Sequence, residues 1–132
     1  MINPPHLPLP AALPLPVLKA LLLDLIAPAR TVQQTQVDAL SDADWQVLMR
    51  MVREHRLGPL MHWQLGQAHA SLQLPTEVVN RLAQGYKKGT LRSLTLQREL
   101  VLVNRILQEA SIPSIALKGA YLAFHAYPQA AL

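Results

Sequence analysis

A chain of 132 residues is a one-domain length that can bury a modest core. With 51% hydrophobic and 15% charged residues it is too apolar for intrinsic disorder and too interrupted by charge for a membrane protein, and the absence of cysteine excludes disulfides and thiolate metal sites. The net charge of +4 and a pI near 9.9 favour anionic partners without choosing among them, and the cytoplasm is the expected location.

The first sixteen residues hold Pro4, Pro5, Pro8, Pro10, Pro14 and Pro16. Each fixes its own φ and removes a backbone donor, so residues 1–16 are expected to be an extended, flexible leader. No basic residue precedes Lys19 and Asp24 interrupts the apolar run, which argues against a secretory signal. Val17 to Ala27 is apolar on nearly all sides but far shorter than the roughly 20 residues a bilayer requires, so it reads as a buried helix. Pro28 ends it, and Thr31 to Val37 reads as a polar connection with room for a helical turn.

Ser41 stands three residues before Asp44, a capping-box spacing, and Trp45, Leu48, Met49 and Val52 then repeat at helical intervals. Gly58 and Pro59 break the chain, with Pro59 suited to the first turn of a new helix, and Leu57, Met61, Leu65 and Ala68 continue an apolar stripe. Leu74-Pro75-Thr76 ends that stripe and opens a long helix from about Glu77 to Ala110. Its apolar side is Leu82, Tyr86, Leu96, Leu100, Val103 and Leu107; Lys87, Lys88, Arg92, Arg98 and Arg105 give a basic exposed side. Gly85 and Gly89 each cost about 1 kcal/mol relative to Ala, which predicts a kink or a close helix crossing. Residues 17–111 are thus a helical region, and leucine and alanine at helical spacing with only 5% aromatics make the whole mostly α.

At Ile112 the pattern changes. Ile112, Ile115 and Leu117 form a short β-prone run, Lys118-Gly119 a turn, and Ala120 to Tyr127 a helix closed by Pro128. A strand feeding a glycine turn into a helix suits a polyphosphate: Gly119 lets the backbone approach, helix-start N–H groups face outward, and Lys118 adds charge. By itself a Lys-Gly pair equally describes a simple turn beside a solvated lysine.

Other chemistry-bearing letters have structural readings. Asp42-Ala43-Asp44 spells Asp-x-Asp but opens a helix, where capping and the helix dipole account for carboxylates. His55, His62 and His69 recur every seven residues, yet Gly58-Pro59 separates the first, and two turns are too far for a shared metal; these and His125 read as packing or surface residues. The basic side of the long helix reads as a solvated face, because few aromatics accompany it to stack on bases.

The succession Asp44-Trp45, His55 to Leu60, Leu107 to Ser111, Ile112-Pro113-Ser114-Ile115-Ala116-Leu117-Lys118-Gly119 and Tyr127-Pro128 resembles the uncharacterised nucleotidyltransferase family, within the polymerase-β-like superfamily. The resemblance implies a helical bundle followed by the first strand, turn and helix of an α/β nucleotidyltransferase-like domain, beginning at residue 112 and expected to be truncated at residue 132. It implies that Lys118 and Gly119 bind the triphosphate, and that an Asp-x-Asp strand holds divalent metal. Mg2+ and a nucleoside triphosphate are the cofactor and substrate expected of the full-length family. Two features depart from the pattern: Lys118-Gly119-Ala120 lacks the serine often found in this turn, and no aspartate or glutamate follows Glu109. The chain is therefore expected to be an N-terminal fragment ending before the Asp-x-Asp strand, with no catalytic or metal-binding residue of its own and inactive alone. Its expected partners are a nucleotide and an unknown acceptor, with no membrane and no nucleic acid, and a protein covering the unfinished sheet. The other reading is a non-catalytic helical protein-interaction module.

Overall fold

The structure is a computed structural model that describes residues 13–29 and 31–126, apart from the side chains of residues 123 and 124. Six helices follow one another: α1 Leu15–Ile26, α2 Gln34–Asp38, α3 Asp42–Glu54, α4 Gly58–Gly66, α5 Thr76–Glu109 and α6 Gly119–His125. The protein is mostly helical, as its composition implies.

α1 begins inside the stretch expected to be extended. Pro14 stands just before the helix and Pro16 lies in its first turn, where a missing N–H and a fixed φ cost the helix nothing. The rest of the leader expected over 1–16 lies almost wholly outside the described residues. Leu18, Leu21, Leu22 and Leu25 recur at helical spacing and are all buried against α3 and α4, each contributing about 2 kcal/mol by leaving water.

α3 starts as its letters require. The Ser41 hydroxyl accepts from the Asp44 N–H at 3.2 Å while the Asp44 carboxylate accepts from the Ser41 N–H at 2.9 Å. The same carboxylate also accepts from the Leu13 N–H at 2.6 Å, so one buried aspartate caps α3 and ties down the entry to α1. Trp45, Leu48, Met51 and Val52 continue the core inward. α4 carries Pro59 in its first turn and buries Met61 between α1 and the start of α5.

Two polar clamps hold the remaining connections. The Gln34 amide group bonds both ways to the backbone of Gln73, donating to its carbonyl at 2.9 Å and accepting from its N–H at 2.8 Å. Buried His69 donates from Nε2 to the Asp24 carbonyl at 3.1 Å, fastening the α4–α5 connection to α1.

α5 is the long element, 34 residues and about 50 Å. It runs unbroken through Gly85 and Gly89, and the close crossing anticipated at Gly85 is absent: a Cβ built there meets nothing within 4 Å. Only Val78 and Leu82 are buried. Beyond them Leu91, Leu94, Leu96, Val101, Leu102, Val103 and Ile106 are all exposed, so the core occupies one end of the molecule and α5 extends from it.

Residues 112–117 belong to no helix or strand, and there is no strand among the described residues. β-prone letters supply half of a ladder; the other half is a neighbouring backbone, and none lies beside this segment in the described structure. The helix expected after Gly119 is present as α6; Tyr127 and Pro128 lie outside the described residues. No described helix is long and apolar enough to cross a membrane.

Candidate functional site

The region around Lys118 is built from the far end of α5. That helix closes through Ser111, whose φ of 58° is left-handed: the Ser111 N–H donates to the Gln108 carbonyl at 2.9 Å and the Ile112 N–H to that of Leu107 at 2.8 Å. The reversal sends residues 112–117 back along α5, where the Ser114 hydroxyl donates to Asn104 Oδ1 at 2.7 Å. Ile115 and Leu117 are 85% and 72% exposed, so the hydrophobic effect does not hold the segment in place; the reversal and the Ser114–Asn104 bond do.

Lys118 then turns the chain with φ 51° and ψ −128°, a backbone conformation suited to glycine, and caps α6 from outside. The left-handed geometry falls on the lysine, and Gly119 is the first residue of the helix with no positive φ. A Cβ at Gly119 would meet nothing within 4 Å, so the protein's own packing does not demand a glycine there. A non-glycine residue in such a conformation stores about 1–3 kcal/mol and persists only where its surroundings enforce it. Lys118 and Gly119 are both exposed, the ammonium in water beside the start of α6.

Between α5, the 112–117 segment and α6 lies a groove of about 590 Å³. Leu100, Val103 and Leu107 line its α5 side, Ser114 and Ile115 its rim, and Tyr121 and His125 its α6 side. The last two rings pack on each other with centroids 4.5 Å apart, one helical turn separating them. Sequence reading assigns His125 a structural role and passes over Asn104 and Tyr121; the fold of the α5 end brings all three together, a juxtaposition with no local signal.

Hard divalent cations require several oxygen ligands, above all carboxylates. The groove lining contains none, and among the described residues there is no group of three or more His, Asp or Glu positioned to hold a metal. The residues present do not fit Mg2+. Asp44, from the Asp-x-Asp letters, is occupied in capping; hydrogen bonds from Ser41, then from Leu13, hold its carboxyl below the usual range against the opposing effect of desolvation. The histidines are placed individually: His69 is buried on Asp24, His62 packs on Tyr86 at 4.7 Å between ring centroids, and His55 is the exposed cap of α3. Lys87, Lys88, Arg92, Arg98 and Arg105 are exposed along α5.

Comparison with curated proteins and with solved structures finds no match. A family model described as uncharacterised nucleotidyltransferase matches residues 41–132, which takes in α3 to α6 and the Lys118 turn. That match spans well over half of the chain, and the protein belongs to the uncharacterised nucleotidyltransferase family.

Proposed function

We infer that the chain provides the helical platform and the triphosphate-binding turn of a nucleotidyltransferase, and that these 132 residues alone do not complete nucleotidyl transfer. The observation that carries the reading is Lys118: within the family match, an exposed lysine holds a glycine-type turn at the start of a helix. Strain kept at this exposed turn supports a functional reading, because nothing in the packing around Lys118 rewards it. The ammonium would neutralise phosphate oxygens and the first N–H groups of α6 would hydrogen-bond them. Residues 112–117 would complete their backbone bonds as the first strand of a sheet once a neighbouring strand is supplied. Nucleotide and acceptor remain the substrates implied by the family, with magnesium supplied on carboxylates other than those described.

The exposed apolar side chains of α5 favour a second reading, a helical module that docks on another protein, since apolar side chains exposed along a helix are stabilised when covered. Amide NMR separates the two. Adding ATP to the labelled chain is expected to shift the amides of residues 117–121, and Lys118→Ala to abolish those shifts. Unmoved amides at 117–121 leave the docking module as the better account, and nucleotide transfer that survives Lys118→Ala defeats the proposed role of the turn.

A further inference from the structure

A second cleft, of about 440 Å³, lies at the other end of the molecule, between the end of α3, the start of α4 and the first third of α5. Its floor is apolar, made by Met49, Val52 and Leu82, and its rim carries Arg53, Arg56 and Arg81. Arg81 is paired with Glu77 at 2.8 Å; Arg53 and Arg56 have no carboxylate partner among the described residues. Glu54, the next residue of α3, lies about 100° around the helix from Arg53 and is exposed.

Two residues of this cleft are poor choices for the stability of the fold. Arg56 occupies the left-handed position that closes α3, at φ 55°, with its N–H donating to the Arg53 carbonyl at 3.2 Å and the Leu57 N–H to that of Val52 at 2.8 Å. Glycine is the usual occupant of that position, and any other L-residue costs about 1 kcal/mol or more there. Gly85 stands inside α5, where alanine would be better by about 1 kcal/mol, and nothing within 4 Å excludes a Cβ. A guanidinium where glycine belongs and a bare backbone where alanine belongs meet across one cleft. Packing explains neither.

We propose that the cleft binds a phosphate ester bearing a flat or apolar group, of the nucleotide type, with phosphate on Arg53 and Arg56 and the ring on the apolar floor over Gly85. Guanidinium forks match phosphate oxygens in pairs, and the cleft volume is that of a small-ligand site. The site is independent of the Lys118 turn: Gly85 and Asn104 are about 30 Å apart along α5, too far for one mononucleotide to reach both. Lys88 and Arg92 follow Arg81 and Gly85 on the same side of the helix, so a longer strand has further cations to follow.

The test is an amide NMR titration of the full chain with ATP in chelator, with inorganic tripolyphosphate, and with a ten-nucleotide thymidine strand. Amides of residues 56–58, 60 and 82–86 report the cleft, and 117–121 report the turn, so the two readings fail separately. ATP is expected to shift the cleft amides saturably, in Lys118→Ala as in the unaltered chain. Arg56→Gly, Arg53→Gln and Gly85→Ala are each expected to weaken that binding about tenfold, while Arg56→Gly and Gly85→Ala keep or raise the thermal midpoint, so that lost binding is not lost folding. Tighter binding of the strand, with shifts reaching Lys88 and Arg92, supports the proposal with nucleic acid as the source; tighter binding of ATP supports it with free nucleotide. Tripolyphosphate binding as well as ATP, cleft amides unmoved by both ATP and the strand, or binding indifferent to the three substitutions overturns it.

Discussion

Replacing Lys118 with glycine separates its backbone from its side chain. With φ 51° and ψ −128°, the position carries about 1–3 kcal/mol of strain that glycine does not share. Glycine gives back about 0.5–1 kcal/mol through the larger freedom of the unfolded chain, leaving a net gain of about 1 kcal/mol in the local stability of α6. The gain is local, because α6 lies far from the core and opens independently of it. Hydrogen exchange at the Leu122 amide, which donates to the Lys118 carbonyl at 3.0 Å, and at the Ala126 amide, which donates to Leu122, reads that opening. Protection is expected to rise about fivefold in Lys118→Gly and to stay unchanged in Lys118→Ala, where the strained backbone remains. Both substitutions remove the ammonium and are expected to weaken triphosphate binding alike. A fall in protection in Lys118→Gly would mean that side-chain contacts hold the turn, and the argument from stored strain would fail.

Two further outcomes follow from the core. Ser41→Ala removes the acceptor for the Asp44 N–H and the hydroxyl that donates to the Asp44 carboxylate at 2.7 Å; it is expected to cost about 1 kcal/mol, read as a lower urea midpoint at constant slope. Because the folded carboxyl of Asp44 titrates below its ordinary value of 3.8, its stabilisation is complete above that value and is lost as pH falls through the lower folded one; the acid limb of the urea midpoint should flatten in Ser41→Ala, and an unchanged limb would contradict the assignment. Leu25→Ala, at a position with 0% exposure, is expected to cost about 3–5 kcal/mol and leave much of the chain unfolded, while Leu94→Ser, at 49% exposure, should change the thermal midpoint little.

The sequence shows most clearly what local chemistry decides. Ser41 and Asp44 mark the start of α3 because a capping box is complete within four residues, and the long helix expected over 77–110 is found at Thr76–Glu109 because Pro75 and the apolar spacing act locally. The helix after Gly119 is found as expected, but the segment before Lys118 forms no strand and the left-handed backbone belongs to Lys118. What escapes is non-local. The start of α1 at Leu15 is hidden by the surrounding prolines and is fixed partly by Asp44, 31 residues away from Leu13. The strand is inferred from Ile112, Ile115 and Leu117, but strand formation is a property of two segments, and these letters describe one. The cleft of Arg53, Arg56 and Arg81 joins two helices whose contact no spacing reveals; the signal available was Gly85, read as a weak point of the helix when it is also a bare surface.

α5 divides into two energetic regimes, and the division bears on how the Lys118 turn is held. Its first turns share the core through Val78 and Leu82; past them Leu91, Leu94 and Leu102 face one way and Leu96 and Val103 another, all exposed. Side chains on opposite sides of a helix are not satisfied by one flat neighbour, so the distal half gains stability only from material that reaches around it. Residues 112–117 have the complementary need, for a backbone partner, and Ile115 shares its groove with Leu100 and Val103. A strand laid beside 112–117 would bury the side of α5 that carries Leu100 and Val103 while completing the ladder, and Leu91, Leu94 and Leu102 would need cover from another neighbour. That strand would also fix the segment immediately before Lys118, supplying the surroundings that a strained turn requires. On the proposed function, coverage of the groove side of α5 and ordering of the Lys118 turn would be one event, because residues 112–117 adjoin both.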